Sequence, residues 1–590
     1  MSCDKLVFDL SQEIEGSPNV FVKKDWLNII DNMNQNYNSN QSVVDTSQLA
    51  NSNKYLSYRE AYLLVPLVLT LAPSEVNKGF APATSATSID YCMGLKNWFG
   101  QIIHSFTLDY NGTTTVQQTP FISMVNIFSL MTSFSWNDVI TQGSAIGFYP
   151  DDPLSWTFAT TLKADGVGVC NNIVLATSNQ PVATPDSTFN KYESGTGNEG
   201  YVRRIQFINF DPAGTPSPSD TNAYSTLLSS GASACNLLWK SYIFNKVNAG
   251  ATATGMFQIA VSATIYLKHI HSFFSMCPLL KGVFMKMTMN LNNTSVQFTT
   301  LSAGTARAGA IVALSSVSNA VGGVCPLMIS STIGGAKNLV SATDATTITY
   351  NANVSVGAVC LNSTLAGQGG ILSAPLAKSI YLYVPAYTFN PIFEQSYLSS
   401  PVKQIKYTDV YQYQVLNVGA GSYFNNLLTN GISNIKSVLI VPLYSSSIAD
   451  NTGLPTGIPV YQSPYDIAGC GGTSPLSFIT NFNVVVSGQN AIYNTQRYNF
   501  EEWNNQLYGQ NAVNGGMTDG LTSSLVNSLG WEMENSHYYV NVSRMLPIEE
   551  SVPKSVQIIG QNLSGKSLDL WCFISYGVEV SIDILTGSRV

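Results

Sequence analysis

Residues 560–567 read GQNLSGKS, with Gly560, Gly565, Lys566 and Ser567 at the required places of the phosphate-binding pattern G-x-x-x-x-G-K-[ST]. The chemistry of that pattern is a glycine-rich loop whose amides cradle phosphate oxygens, set between a strand and the positive N-terminus of a helix. VQII before Gly560 reads as the strand. After Ser567, however, Val578, Val580, Ile582 and Ile584 alternate with Glu579, Ser581 and Asp583, which is the period of a half-buried strand. The octet is therefore expected to match the pattern by chance and to form a hairpin turn, with no cofactor bound.

Other residues with chemical potential are sparse. A zinc site needs clustered Cys and His, and the chain has four histidines, His104, His269, His271 and His537. The close pair, in YLKHIHSFFSMCP, falls where a strand gives way to a short helix, so a shared face is not expected and no metal site is assigned. The adjacent carboxylates Asp151-Asp152 and Glu501-Glu502 have the residue type of glycoside hydrolysis but the spacing of solvated loop or helix-start residues. No G-x-S-x-G nucleophile elbow occurs. Interleaved tyrosines in HYYVNVS and YTDVYQYQV are what strands prefer for packing. No catalytic residue is assigned, and the chain is not expected to be an enzyme.

The elements around these residues read as an all-β chain. From Tyr58 onward, runs rich in Val, Ile, Thr, Tyr and Phe recur between Gly, Pro, Asn and Ser clusters, the grammar of β-sandwiches. Asn111-Gly112 in DYNGTT predicts a hairpin turn. Helices are expected only at Phe121–Ser133, near His271–Met276 and at Leu521–Leu529. Tyr62–Ala72, YLLVPLVLTLA, is too short to cross a bilayer and reads as a buried strand. Residues 1–55 include an Asn-, Gln- and Ser-rich tract and read as an arm. Residues 301–375, rich in small side chains, read as a long loop or small β insertion. YLLVP at Tyr62 and YLYVP at Tyr381 echo one another, over too few residues to establish a repeat.

Composition narrows the class. Of 590 residues only 11% are charged, against about a quarter in ordinary domains, and Asn, Ser, Thr and Gly fill the polar positions. Charge depletion is a property of the centres of protein interfaces, and covered surface is one explanation for it. A net charge of −8 argues against specific nucleic-acid binding. The nine cysteines are scattered singly and suggest reduced thiols, and no secretory signal is visible at the N-terminus. Sequons at Asn111, Asn353, Asn362, Asn541 and Asn562 are accordingly expected to stay unmodified.

Several long segments, read in order, carry a resemblance. They are GLKNWFGQIIHSFTLDYNGTTTVQQTPF with IFSLMTSFS and IGFYPDDP, IYLKHIHSFFSMCPLLKGVFMKMTMNLN, YLYVPAYTFNPIFEQSYLSSPVKQIKYTD, SPYDIAGCGGTSPLSFITNFNVVVSGQNAIYNTQRYNFEEWNNQLYG, and YYVNVSRML through VSIDILTG. From about Gly94 onward the chain resembles the double jelly-roll major capsid proteins of virophages, Polintons and Polinton-like viruses. The resemblance implies two jelly rolls in tandem, residues 56–395 with the insertion at about 301–375, then 396–590. YLYVPAYTFNP would close the first of them. It also implies a homotrimeric, pseudo-hexagonal capsomer tiling an icosahedral shell, with the chain itself, a penton protein and minor capsid proteins as partners. The location implied is the virion, assembled inside the host cell and not secreted. The alternative is a non-capsid viral surface protein or a sugar-binding β-sandwich.

Overall fold

The computed structural model describes residues 19–37, 39–73, 91–95, 97–148, 205–208, 239–247, 253–300, 312–319, 327–330, 349–357, 379–445, 474, 477–492, 498–508, 525–533, 535–543, 545, 551–584 and 588–589. In the first half the strands are β1 (Phe21–Ile30), β2 (Gln41–Asp45), β3 (Tyr55–Leu56), β4 (Tyr62–Pro73), β5 (Tyr91–Leu95), β6 (Ile103–Tyr110), β7 (Thr113–Val116) and β8 (Ile205–Ile208). They continue with β9 (Trp239–Val247), β10 (Ala253–Tyr266), β11 (Met285–Leu291), β12 (Thr294–Thr300), β13 (Val312–Asn319), β14 (Leu327–Ser330), β15 (Thr349–Val356) and β16 (Tyr381–Phe389). The second half holds β17 (Val402–Val418), β18 (Tyr423–Ile432), β19 (Ile435–Tyr444), β20 (Ile479–Val486), β21 (Gln489–Asn490), β22 (Tyr538–Asn541), β23 (Lys554–Asn562) and β24 (Leu568–Asp583). Short α-helices join them: α1 (Ser47–Ala50), α2 (Ile122–Ser133), α3 (Trp136–Ile146), α4 (Leu267–Ile270), α5 (Ser272–Met276), α6 (Pro391–Leu398), α7 (Phe500–Tyr508) and α8 (Ser528–Met533).

One strand order occurs twice. In the second half the sheets run β17-β24-β19-β22 and β18-β23-β20-β21. Counting its strands one to eight, those sheets are 1-8-3-6 and 2-7-4-5. In the first half β1-β16-β4-β10 and β2-β11-β6-β7 repeat that order on β1, β2, β4, β6, β7, β10, β11 and β16, all antiparallel. This eight-stranded double wrap is the jelly roll, so the chain is two jelly-roll sandwiches in tandem. Extra strands decorate the first: β15 pairs β4, β12 pairs β15, β13 pairs β12 and β9 pairs β10, while β14-β5-β8 form a small separate sheet. Within residues 301–375, then, β13, β14 and β15 are sheet strands; apart from Gly357, the rest lies outside the described residues.

The alternation behind this order is visible strand by strand. In β4 Leu63, Val65, Leu67 and Leu69 are buried on one face, and Pro66 and Val68 are buried on the other; in β23 Val556 and Ile558 are buried between half-buried neighbours. The four leucine and valine side chains of the first face, with Val556 and Ile558, belong to one apolar cluster that runs through both sandwiches. The echo of YLLVP and YLYVP is not a duplicated unit. Those stretches are neighbouring strands of one sheet, with Tyr383 opposite Tyr62, and β16 is the last strand of the first sandwich.

Residues 1–55 differ from the expected arm. Phe21–Ile30 and Gln41–Asp45 are the first and second strands of the first sandwich, paired with β16 and β11; residues 1–18 are outside the described residues. The Asn-rich composition has a local cause, since Asn34, Gln35, Asn40 and Asn53 all take positive φ in the turns between strands, a conformation asparagine tolerates. Asp31, buried in one of those turns, accepts hydrogen bonds from the hydroxyls of Tyr37 and Ser42. Of the expected helices, Phe121–Ser133 and His271–Met276 correspond to α2 and α5. The third begins only at Ser528: Val526 and Asn527 precede it, with the Asn527 side chain accepting from the Gly530 amide as its cap.

The β6–β7 hairpin turns on Asn111 (φ 45°) and Gly112 (φ 79°), the left-handed pair of a two-residue turn that matches strand twist. Gly112→Val puts a β-branched side chain in that conformation and should cost about 1–2 kcal/mol in denaturant unfolding.

Candidate functional site at the seam between the two sandwiches

The most elaborate side-chain arrangement lies where the two sandwiches meet. Its centre is α2, whose sequence ISMVNIFSLMTS is buried from Ile122 to Thr132. A helix apolar all round must be covered on all sides. One side packs on β6 and α4 of its own sandwich. On the other, the Phe128 ring stacks on Tyr539 at 5.6 Å and lies 5.1 Å from His537 and 6.5 Å from Trp503, all in the second sandwich. Phe121, which precedes α2, has a φ of 58°. Such a conformation costs a bulky residue on the order of 1–3 kcal/mol and persists only where surroundings hold it. Here its ring is held 4.0 Å from Trp571 and 4.5 Å from His104.

Hydrogen bonds fasten the seam along β17, the edge strand of its sheet. Thr119 Oγ1 donates to the Val410 carbonyl (2.7 Å), and the Tyr407 hydroxyl donates to the Thr115 carbonyl (2.6 Å). Ser272 Oγ donates to the Thr408 carbonyl (2.7 Å) and accepts from the Thr408 amide (3.0 Å). Farther along, the Leu525 amide donates to the Met131 carbonyl (3.0 Å). These partners were not singled out from sequence. They are lone hydroxyl residues with no motif, and Thr119 and Val410 stand 291 positions apart.

All four histidines of the chain border this seam. His104 and His537 pack on Phe121 and Phe128. His269 sits among the ring edges of Trp98, Phe134 and Tyr266. His271 accepts from the Phe273 amide at Nδ1, capping α5, and places Nε2 3.4 Å from Asp409 Oδ1, with both side chains buried. His269 and His271 both line a cavity of about 20 Å³ with Asn126, Lys268 and Thr408, a space of about one water. Among the described residues no group of three metal-ligand side chains converges.

The GQNLSGKS residues lie elsewhere, in the hairpin between β23 and β24. Gly560 is inside β23, where a Cβ would come 2.7 Å from the Phe424 ring. Gly565 takes φ 72° in the turn. The Asn562 side chain holds the loop together, donating to the carbonyls of Val418, Gly419 and Lys566 and accepting from the Ser564 amide. Ser567 accepts from the Ser445 amide through its carbonyl, and the 16-residue strand β24 follows, so the residues after the loop do not supply the helix N-terminus of a phosphate cradle. Glu501 and Glu502 occupy the first turn of α7, where carboxylates complement the helix dipole. Asp151 and Asp152 are outside the described residues. Of the cysteines, Cys277 and Cys572 are buried free thiols whose pKa burial pushes up. Among the described residues, no helix is long and apolar enough to cross a membrane.

No protein-family model matches the chain, and no curated protein matches it. Among solved structures it is similar to a chain of the Sputnik virophage particle, with 13% identity, a TM-score of 0.45, and coverage of 97% of this chain and 88% of that one. It is also similar to the mavirus major capsid protein (9% identity, TM-score 0.41, 98% and 92% covered). A third likeness is the Faustovirus major capsid protein (9% identity, TM-score 0.38, 98% and 94% covered).

The buried imidazoles make the seam sensitive to acid. Burial lowers the pKa of His104 and His537 to about 4 and that of His269, aided by the Lys268 charge, to about 3, from an ordinary 6.5. The unfolded chain takes up these protons near 6.5 while the folded chain does not. The stability they contribute is therefore complete above about pH 6.5 and is lost as pH falls toward about 4. The thermal midpoint should drop across that window, and His104→Phe should flatten the drop in a pH series of melting curves.

Proposed function

We propose that this chain is a viral major capsid protein whose role is structural. Two jelly rolls stand side by side in each copy, three copies form a pseudo-hexagonal capsomer, and capsomers tile an icosahedral shell. The observation that carries the reading is the identical eight-strand order in both halves, joined by a seam that buries an apolar helix between them. A chain built this way carries two like units, so that three copies in a closed ring give six like units around it. The charge content of 11% supports it, because surface destined to be covered by other subunits has no need of charge. So does the resemblance of the long segments from Gly94 onward to double jelly-roll major capsid proteins.

On this reading the chain divides near residue 395, between β16 and β17, and the insertion around residues 301–375 carries outward-facing loops. Its partners are other copies of itself, a penton protein and minor capsid proteins, within a virion assembled inside the host cell. Specific nucleic-acid binding and a nucleotide cofactor form no part of the reading.

Two measurements test it. By mass photometry or sedimentation the purified protein should be a trimer that survives dilution, visible as hexagonal particles by negative stain; a well-folded monomer overturns the proposal. Mg-ATP should leave the melting temperature unchanged. A nucleotide-dependent rise that Lys566→Ala abolishes would instead make Gly560–Ser567 a working phosphate site.

A further inference from the structure

Asparagine followed by glycine is the pair most open to spontaneous deamidation, because glycine has no side chain to shield the amide nitrogen that attacks the asparagine carboxamide. The chain holds three such pairs, Asn111-Gly112, Asn430-Gly431 and Asn514-Gly515, the last outside the described residues. The fold treats the first two differently. Asn111 is held: its backbone amide donates to the Phe284 carbonyl (2.9 Å), and its side-chain oxygen accepts from the Phe284 amide (3.3 Å). Swinging this carboxamide onto the Gly112 nitrogen would break the second bond and disturb a turn in which the two residues take φ 45° and 79°.

Asn430 stands in β18, the edge strand of its sheet. Pairing with β23 passes from Thr429 opposite Val556 to Ile432 opposite Lys554, so Asn430 and Gly431 together face Ser555, the arrangement of a β-bulge. Both residues are exposed, and among the described residues the Asn430 side chain bonds to none. The Gly431 amide donates to Thr429 Oγ1 over 3.3 Å, which sets an oxygen beside the proton that must leave before the nitrogen can attack. A Cβ built on Gly431 would have nothing within 4 Å, so the bulge is open on that side.

We propose that this bulge makes Asn430, and not Asn111, a site of spontaneous deamidation in the folded protein. The Gly431 nitrogen, its proton passed to water or hydroxide with Thr429 Oγ1 alongside, attacks Asn430 Cγ. The N–Cγ bond forms, the Cγ–Nδ2 bond breaks, and Nδ2 leaves as ammonia with a proton returned from solvent. Water then opens the cyclic succinimide at either carbonyl, giving an aspartyl or an isoaspartyl residue at position 430; nothing is oxidised or reduced. Each event adds a negative charge to the edge of β18. The isoaspartyl form also lengthens the backbone, at a point where the ladder already takes up an extra residue. The inference is independent of the capsid reading.

To test it, the full chain is kept at neutral and mildly alkaline pH in heavy-oxygen water and digested in mild acid. Peptides holding positions 430 and 111 are then compared by mass spectrometry, with an isoaspartyl methyltransferase as a second readout. Asn430 should convert about tenfold faster than Asn111, the factor set by one more hydrogen bond to break, and faster still as pH rises. In denaturant the two rates should converge. Gly431→Ala should suppress conversion at Asn430 and keep the melting curve of the wild type, because the added methyl meets open space. Thr429→Val should slow conversion, and a rate equal to wild type would overturn the part given to that hydroxyl. Equal rates at Asn430 and Asn111 in the folded chain, or a lead of Asn430 that persists in denaturant, would overturn the proposal.

Discussion

An edge strand carries a row of amides and carbonyls with no partner in its own sheet, and in the second sandwich that strand is β17. Bare edges invite pairing with any other chain. Here the row is answered from the other sandwich: Ser272 takes both backbone groups of Thr408, and Thr119 takes the carbonyl of Val410. Because each contact is a side chain on a backbone group, it fixes where the first sandwich stands along β17. The relative placement of the sandwiches depends on these bonds to the edge.

The apolar side of the seam has the opposite character. Phe121, Phe128, Trp571 and Tyr539 are held by area and ring packing, which tolerate sliding more than hydrogen bonds do. Together the two supply strength and register. The buried imidazoles are the weak point, since His104, His269 and His537 are tolerated only in neutral form. The seam is therefore firm near neutrality and loosens in acid.

Much of the fold was legible from local pattern. Alternation in segments such as VQII and VEVSIDI marks strands, and Asn111-Gly112 marks a hairpin, as β23, β24 and the β6–β7 turn have it. The arm expected at residues 1–55 was misread for a reason that is itself local. Asparagines at positive φ between short strands have the same composition as a disordered tract, and only the pairing of β1 with β16, more than 350 positions away, separates the two. His269 and His271 have different neighbours, one among aromatic rings and one at Asp409, yet both line one small cavity, which their spacing in the sequence does not reveal.

Local pattern is enough to fix the class of structure, because period-two alternation and turn residues act over a few positions and leave their mark in the string. Composition likewise fixes the scarcity of charge, 11% of residues. Which strands neighbour one another, that one order is used twice, and that Thr119 meets Val410 were decided only in three dimensions, since lone hydroxyls and carbonyls carry no signal until the chain brings them within 3 Å. The same holds for Trp26, Tyr62, Tyr266 and Tyr383, which lie on four separate strands and become neighbours only when the sheet sets them side by side.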